Sequence, residues 1–271
     1  MSRPRLRLCL DSAEGDPALD TAVSRVVLDR VEAGELPATL RLSRPARLVA
    51  FSARDRRSRG LPAAIEAAER RGFAAVSRLA GGRPAVFTPR TIAFALAEPT
   101  PEPSAGIEAR FARMAGALRT AARYAALPDT VGDPPDVRIG EVPGEYCPGT
   151  WSVNLGGTRK VAGIGQRLLR RSAHTGGVVV VGDATAIRGV LVEVYAAMDL
   201  TWDPASVGQL LRDQEPLAPE VAARAWVRVR DAIVEAFAAG FDLEPWRLDR
   251  TTLDRARALA AEHRLAAGAH P

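Results

Sequence analysis

The sequence predicts an α/β chain of the α+β kind, a mixed β-sheet flanked by helices with a helical segment at its C-terminal end. Three observations predict it. Short apolar runs such as RLRLCL, KVAGIGQRLL and GGVVVVGD have strand length. Longer stretches such as IEARFARMAGALRTAARYAAL place apolar residues at helical spacing. The two kinds follow one another without strict βαβ alternation, which argues against a doubly wound parallel sheet.

Taken in order, RLRLCL is a short apolar start, and DPALDTAVSRVVLDRVEAGE is a helix. Asp16 and Pro17 supply its cap and first turn, Leu19, Val23, Val26 and Val27 share one face, and Gly34 is placed to stop it. LRLSRPARLVAFSA reads as two short strands, LPAAIEAAERRG as a helix ended by Gly72, and FAAVSRL as a strand. GGRP is a tight turn leading into AVFTP and TIAFALAE, which are further strands. The Pro-rich EPTPEPSAG connects to the long helix, and a second loop, PDTVGDPPD, follows it. DVRIGEV, SVNL and KVAGIGQRLL are strands, the last two joined at a GGT turn, and GGVVVVGD closes the set. From about Tyr195 the character changes: Trp226, Val229, Ile233 and Phe237 lie at helical spacing, and TTLDRARALAAEHRLA is a final helix. The expected organisation is a core over residues 1–200 with a helical segment over 201–271 packed on the same domain.

Composition narrows the function. The 271 residues are long enough to bury a core, and no apolar run approaches the length needed to cross a bilayer. The start does not read as a signal peptide, so a cytoplasmic location is expected. Two cysteines make no disulfide framework, and no CxxC or HExxH spacing suggests a metal. A net charge of +5 favours an acidic partner. The arginine clusters sit in no nucleic-acid-binding module, and aromatics at 5% argue against a base-stacking platform.

The chemistry candidates gather in EYCPGTWSVNLGGTRKVAGIGQR. Pro148 and Gly149 make a turn after Cys147, which holds the thiol at a loop edge; the alternative is a buried cysteine acting as a small hydrophobe. Lys160 is the only lysine, every other cationic stem being arginine, which suggests a site that needs a compact ammonium. Across a short turn it would reach Cys147, favour the thiolate and steady an oxyanion; otherwise it caps a hairpin in solvent. Gly81 and Gly82, flanked by Arg78 and Arg83, form either a loop whose backbone approaches a ligand or a simple turn. His174 is either a substrate contact or a hydrogen-bonded structural histidine.

Together these stretches resemble the biotin/lipoate protein ligase and acyltransferase family, most closely its cysteine-dependent octanoyltransferases and lipoyl amidotransferases. DPALDTAVSRVVLDRVEAGELPATLRLSRP is similar to the family's first helix and strand, GFAAVSRLAGGRPAVFT to its Arg and Gly-rich acyl-binding loop, and YCPG through RKVAGIGQR to its cysteine loop and lysine motif. The resemblance implies a biotin/lipoate ligase-like mixed sheet. It implies Cys147 as the acyl-accepting cysteine and Lys160 as the lysine at the acyl carbonyl. Gly163, Gly165 and Gln166 would line the pocket, and Gly81, Gly82 and Arg83 would cover the acyl chain. The glycine loop departs from the family pattern: Ser77 stands at the first arginine, Pro84 follows Arg83, and Phe87 or Thr88 stands near the usual histidine.

The activity implied is transfer of an octanoyl or lipoyl group through a cysteine thioester to a lysine of a lipoyl domain or glycine-cleavage H protein, with no cofactor. The donor would be an acyl carrier protein or H protein. The alternatives are an ATP-dependent lipoate protein ligase, using ATP and Mg, and a non-catalytic acyl-binding member.

Overall fold

The computed structural model describes residues 3–13, 15–125, 135–211 and 218–267. Eight strands form the main sheet: β1 (Arg5–Cys9), β2 (Thr39–Ser43), β6 (Thr91–Pro99), β7 (Val137–Ile139), β8 (Val153–Leu155), β9 (Arg159–Leu168), β10 (Ser172–Val180) and β11 (Asp242–Pro245). Their spatial order is β11-β1-β2-β6-β10-β9-β8-β7. The pairs β1–β11 and β1–β2 are parallel and the rest are antiparallel, so the sheet is mixed as expected. A second sheet, ordered β4-β3-β5, is built from β3 (Leu48–Phe51), β4 (Ala74–Ser77) and β5 (Ala85–Phe87).

The helices are α1 (Pro17–Glu32), α2 (Leu61–Arg70), α3 (Ile107–Ala125), α4 (Ala184–Ala197), α5 (Pro219–Ala238) and α6 (Arg250–His263). Helix α1 starts where the sequence places it, with the Asp16 carboxylate accepting the Ala18 and Leu19 amides and Pro17 in the first turn. Gly34 follows its end at φ +75°, in the left-handed region that glycine enters freely.

All five residues of β2 are buried, so both faces of the sheet are covered there. Leu40 and Leu42 join a core with Phe94 and Leu96, which is closed by Met114 and Leu118 of α3 and Trp226, Ile233 and Phe237 of α5. The alternate residue, Arg41, turns the other way and pairs with Asp20 of α1, also donating to Ser24 Oγ at 3.3 Å. Helix α6 packs on α1 through Ala256 and Ala260, while α2 and α4 cover the small sheet around Phe51, Ile65 and Leu191.

The structure adds two elements that the sequence reading leaves out. Helix α4 lies within Ala184–Ala197; its buried residues Ile187, Val190, Leu191, Val194 and Tyr195 stand at helical spacing, a stripe that the sequence reading passes over. Residues 201–271 are not only helical, because β11 from this segment pairs with β1 and makes the sheet's outer edge. Its sequence, DLEP, has neither length nor alternation to announce a strand. The loop read at PDTVGDPPD lies largely outside the described residues. Among the described residues, no helix is long and apolar enough to cross a membrane.

Candidate active site

A cavity of about 570 Å³ opens where the cysteine loop, the glycine loop and the β9–β10 hairpin meet. Its floor exists because the hairpin centre lacks side chains. Gly165 pairs with Gly176, and a Cβ on Gly177 would stand 1.9 Å from the Gly163 carbonyl oxygen. The walls are apolar, with Phe87, Ile107, Phe111, Trp151 and Val178 among them, and Phe111 and Trp151 stack with ring centroids 6.3 Å apart.

The polar end is organised by a buried carboxylate. Glu145 accepts the Gly149 amide at 2.8 Å, the Ser152 hydroxyl at 2.7 Å and the Val142 amide at 3.2 Å, which folds residues 142–152 into a compact loop. Lys160, 1% exposed, enters this loop from β9. Its ammonium donates to the Cys147 carbonyl at 2.6 Å, the Tyr146 carbonyl at 3.1 Å and Glu145 Oε1 at 3.2 Å. The solvent-exposed alternative for Lys160 is therefore wrong, and the thirteen-residue spacing does close. A charge buried this deeply needs such a set of partners.

Cys147 stands in the left-handed region at φ 45°, uncommon for a residue with a side chain and a form of strain that functional sites concentrate. Its sulfur accepts the Arg83 backbone N–H at 3.2 Å and faces an Arg78 guanidinium nitrogen at 3.6 Å. Arg78 is fixed by donating to the Arg83 carbonyl at 2.6 Å. Burial pushes the thiol pKa up, but the charges of Arg78 and Lys160 and the bonds from Arg78 and Arg83 outweigh it and leave the pKa below its ordinary value. The result is a thiol poised toward thiolate at the mouth of a cavity.

The glycine loop comes this close because Gly82 has no side chain. At φ +106° its Cβ would lie 2.7 Å from both Cys147 Sγ and the Arg78 guanidinium. Ser52 Oγ holds the loop by donating to the Gly82 carbonyl at 2.8 Å.

No protein-family model matches the chain. A curated relative, the octanoyl-[GcvH]:protein N-octanoyltransferase of Geobacillus kaustophilus, is 29% identical over 203 residues, covering 72% of this chain and 67% of the relative. The fold matches a lipoate-protein ligase A bound with ATP at TM-score 0.70 and 15% identity over 95% of each chain. It also matches the bi-partite lipoate protein ligase of Thermoplasma acidophilum at TM-score 0.68 and 15% identity, over 96% of this chain and 93% of that one. The chain is thus similar in sequence to an octanoyltransferase, and its fold is that of the lipoate-protein ligases.

Arg78, Gly81, Gly82, Cys147, Lys160, Gly163, Gly165 and Gln166 all line the larger cavity. Gln166 is also tied to α3, donating to the Ile107 carbonyl at 2.9 Å and accepting from Arg110 Nε at 3.1 Å. Arg83 reaches the site through its backbone; its side chain turns toward Asp55, 3.8 Å away.

His174 is placed elsewhere. It lines an adjoining cavity of about 100 Å³ with Asp20, Ser24 and Ala95, which shares Arg78, Phe87, Gly176 and Gly177 with the larger one, and among the described residues none hydrogen-bonds its Nδ1. Burial, helped by the Arg167 charge, pulls its pKa down to about 4, so the ring is neutral at physiological pH. The sequence reading missed Glu145 and Tyr195. Glu145 precedes YCPG in the quoted motif, and an acidic residue beside a lone lysine was the available signal. Tyr195, whose hydroxyl accepts the Cys147 N–H, lies on α4 with no local signal at all.

Proposed function

We propose that the protein transfers an octanoyl or lipoyl group through a thioester on Cys147 to the lysine of a lipoyl domain or glycine-cleavage H protein. The thiolate attacks the acyl carbonyl of the donor, a thioester on acyl carrier protein or a lysine amide on H protein, and the bond to the donor sulfur or nitrogen breaks as that thiol or amine takes up a proton. The acceptor lysine, as free amine, then attacks the new thioester. An amide bond forms, the bond to Cys147 Sγ breaks, and the amine proton leaves with the collapse of the intermediate. Neither step consumes a nucleotide, so the reading includes no cofactor. Donors are acyl carrier protein or H protein.

The observation that carries this reading is the Cys147 sulfur held between the Arg83 N–H and the Arg78 guanidinium at the cavity. An incidental cysteine would have no need of donors that stabilise its thiolate. The Arg83 N–H beside the sulfur would donate to an oxyanion formed there, and the Lys160 ammonium, now bonded to the Cys147 carbonyl, would join it by exchanging one of its present acceptors. The relative that acts on GcvH and the ligase fold support the acyl and acceptor classes. The apolar wall suits a saturated chain, each buried methylene contributing about 0.8 kcal/mol.

The test is intact-mass measurement after incubation with octanoyl carrier protein and no ATP. One octanoyl adduct is expected, sensitive to hydroxylamine and absent from Cys147→Ser. Acylation that demands ATP, or that proceeds fully in Cys147→Ser, would establish the ligase reading instead.

A further inference from the structure

We propose that the Tyr195 hydroxyl is a positioning group for the Cys147 sulfur, one oxygen atom that locks the cysteine loop to the glycine loop. The phenol accepts the Cys147 N–H at 2.8 Å and donates to the Pro84 carbonyl at 3.1 Å. Pro84 directly follows Arg83, whose N–H meets the sulfur at 3.2 Å. Tyr195 therefore bonds within one residue of each end of the contact that stabilises the thiolate. The two loops are 64 residues apart in sequence and share no strand pairing that would hold them in register.

Cys147 needs this hold because of its backbone. At φ 45° it sits where a side chain is disfavoured, and its two peptide groups are pinned by side chains from different elements. Lys160 of β9 holds its carbonyl at 2.6 Å, and Tyr195 of α4 holds its amide. Without the phenol the amide loses its acceptor, and the residue is free to relax out of the left-handed region. The sulfur then swings from the Arg83 N–H, and the thiol pKa returns toward its ordinary value.

The tyrosine is built to hold still. Its ring is 2% exposed and packs on Trp202 at 5.2 Å between centroids. To donate to Pro84 the phenol must keep its proton, and burial first, with the neighbouring Cys147 charge second, holds its pKa well above the ordinary tyrosine value.

The inference rests on the reading that Cys147 works as a thiolate, and its test needs no acyl transfer. Iodoacetamide alkylation of Cys147 is followed against pH by peptide mass mapping, which separates it from buried Cys9. Tyr195→Phe keeps the ring and removes the bridge. Its inflection should rise by about one pH unit, making alkylation about tenfold slower at neutral pH, with the two rates converging above about pH 9.5. Trp202→Phe is the control, because it loosens packing on the same ring but leaves the hydroxyl. It should lower Tm and leave the inflection in place. An unmoved inflection in Tyr195→Phe, or an equal shift in Trp202→Phe, overturns the proposal. Hydrogen exchange on the wild-type protein supplies a check that no folding failure affects: the Cys147 amide should be protected, and free exchange there overturns the proposal as well.

Discussion

Replacing Lys160 by methionine keeps the stem and removes the ammonium from three acceptors at once, the Glu145 carboxylate and the carbonyls of Tyr146 and Cys147. Glu145 is left with its Gly149, Val142 and Ser152 bonds but no counter-charge, and its side chain is fully buried. Breaking one side of such a pair costs about 3–5 kcal/mol, largely from the charge stranded without its partner. That cost should be relieved by Glu145→Gln, because the amide oxygen still accepts from Gly149 while the charge is gone. The double variant Glu145→Gln/Lys160→Met should therefore recover part of the stability lost by Lys160→Met, measured as urea midpoints, the remainder being the Val142 N–H that then faces the glutamine NH2.

Thiol chemistry should behave differently. Lys160 also lowers the Cys147 pKa, second to Arg78 among the charges, and no change at Glu145 restores that effect. Alkylation of Cys147 against pH should show the inflection raised in Lys160→Met and still raised in the double variant, with a larger rise in Arg78→Ala. Stability recovered together with the thiol pKa would refute the separation of the two roles. An unchanged inflection in Lys160→Met would remove the lysine from thiol activation altogether.

Two further outcomes follow from the same geometry. Gly82→Ala places a methyl 2.7 Å from the Cys147 sulfur and the Arg78 guanidinium at a φ of +106°, so the loop must retreat. Acylation should fall by more than tenfold while Tm drops by only a few degrees, a positive φ costing about 1–2 kcal/mol; acylation at the wild-type rate would show that the loop does not need to approach the sulfur. His174 should make the fold acid-sensitive: its folded pKa of about 4 lies below the unfolded value of 6.5. The unfolded chain binds the proton first as pH falls, so stability present above pH 6.5 declines through the window down to about pH 4, by about 2 kcal/mol at pH 5. The difference in urea midpoint between pH 7 and pH 5 should shrink in His174→Leu, and an undiminished difference would assign the acid sensitivity to other groups.

The parts of the fold that were legible in the sequence were those with a local cause. Asp16 and Pro17 start α1 because a carboxylate beside a proline satisfies a helix end wherever it occurs. Strands β9 and β10 were legible through their strand-length apolar runs, and the β8–β9 turn through its glycines. Most of what escaped was decided by tertiary contact. Helix α4 is the exception: it does carry a buried stripe of Ile187, Val190, Leu191, Val194 and Tyr195, but Ala184, Ala186, Val192, Ala196 and Ala197 around them are apolar too and blur it in the sequence. Strand β11 is a strand only because β1 offers it an edge. The same division holds in the site. Cys147 and Lys160 stood out by rarity and spacing, whereas Tyr195 belongs to the site through a bond spanning 48 residues, and Arg83 through a backbone amide that any residue but proline would supply. The place of His174 was likewise not legible. Its ring passes over Gly176, where a Cβ would stand 2.4 Å from Nε2, and lines the small cavity rather than the one holding Cys147, a path open only because position 176 has no side chain.

The same geometry accounts for a lysine at position 160 in a chain that otherwise uses arginine. Three oxygen acceptors converge on one point at 2.6, 3.1 and 3.2 Å, a number that matches the donors of an ammonium. A guanidinium spreads its donors across a plane and could not satisfy three acceptors gathered at one atom. Space points the same way. A Cβ on Gly163 would already stand 3.2 Å from Lys160 Cε, so the stem passes through a gap that depends on a missing side chain. A bulkier head has no room on that side. Lys160→Arg would therefore have to leave at least one of Glu145, Tyr146 O and Cys147 O without its donor while keeping the positive charge nearby. If the charge alone mattered, Lys160→Arg would preserve Cys147 acylation. If the convergence matters, acylation should fall by about 100-fold, the order expected for a misplaced oxyanion donor, even though the alkylation inflection moves less than in Lys160→Met.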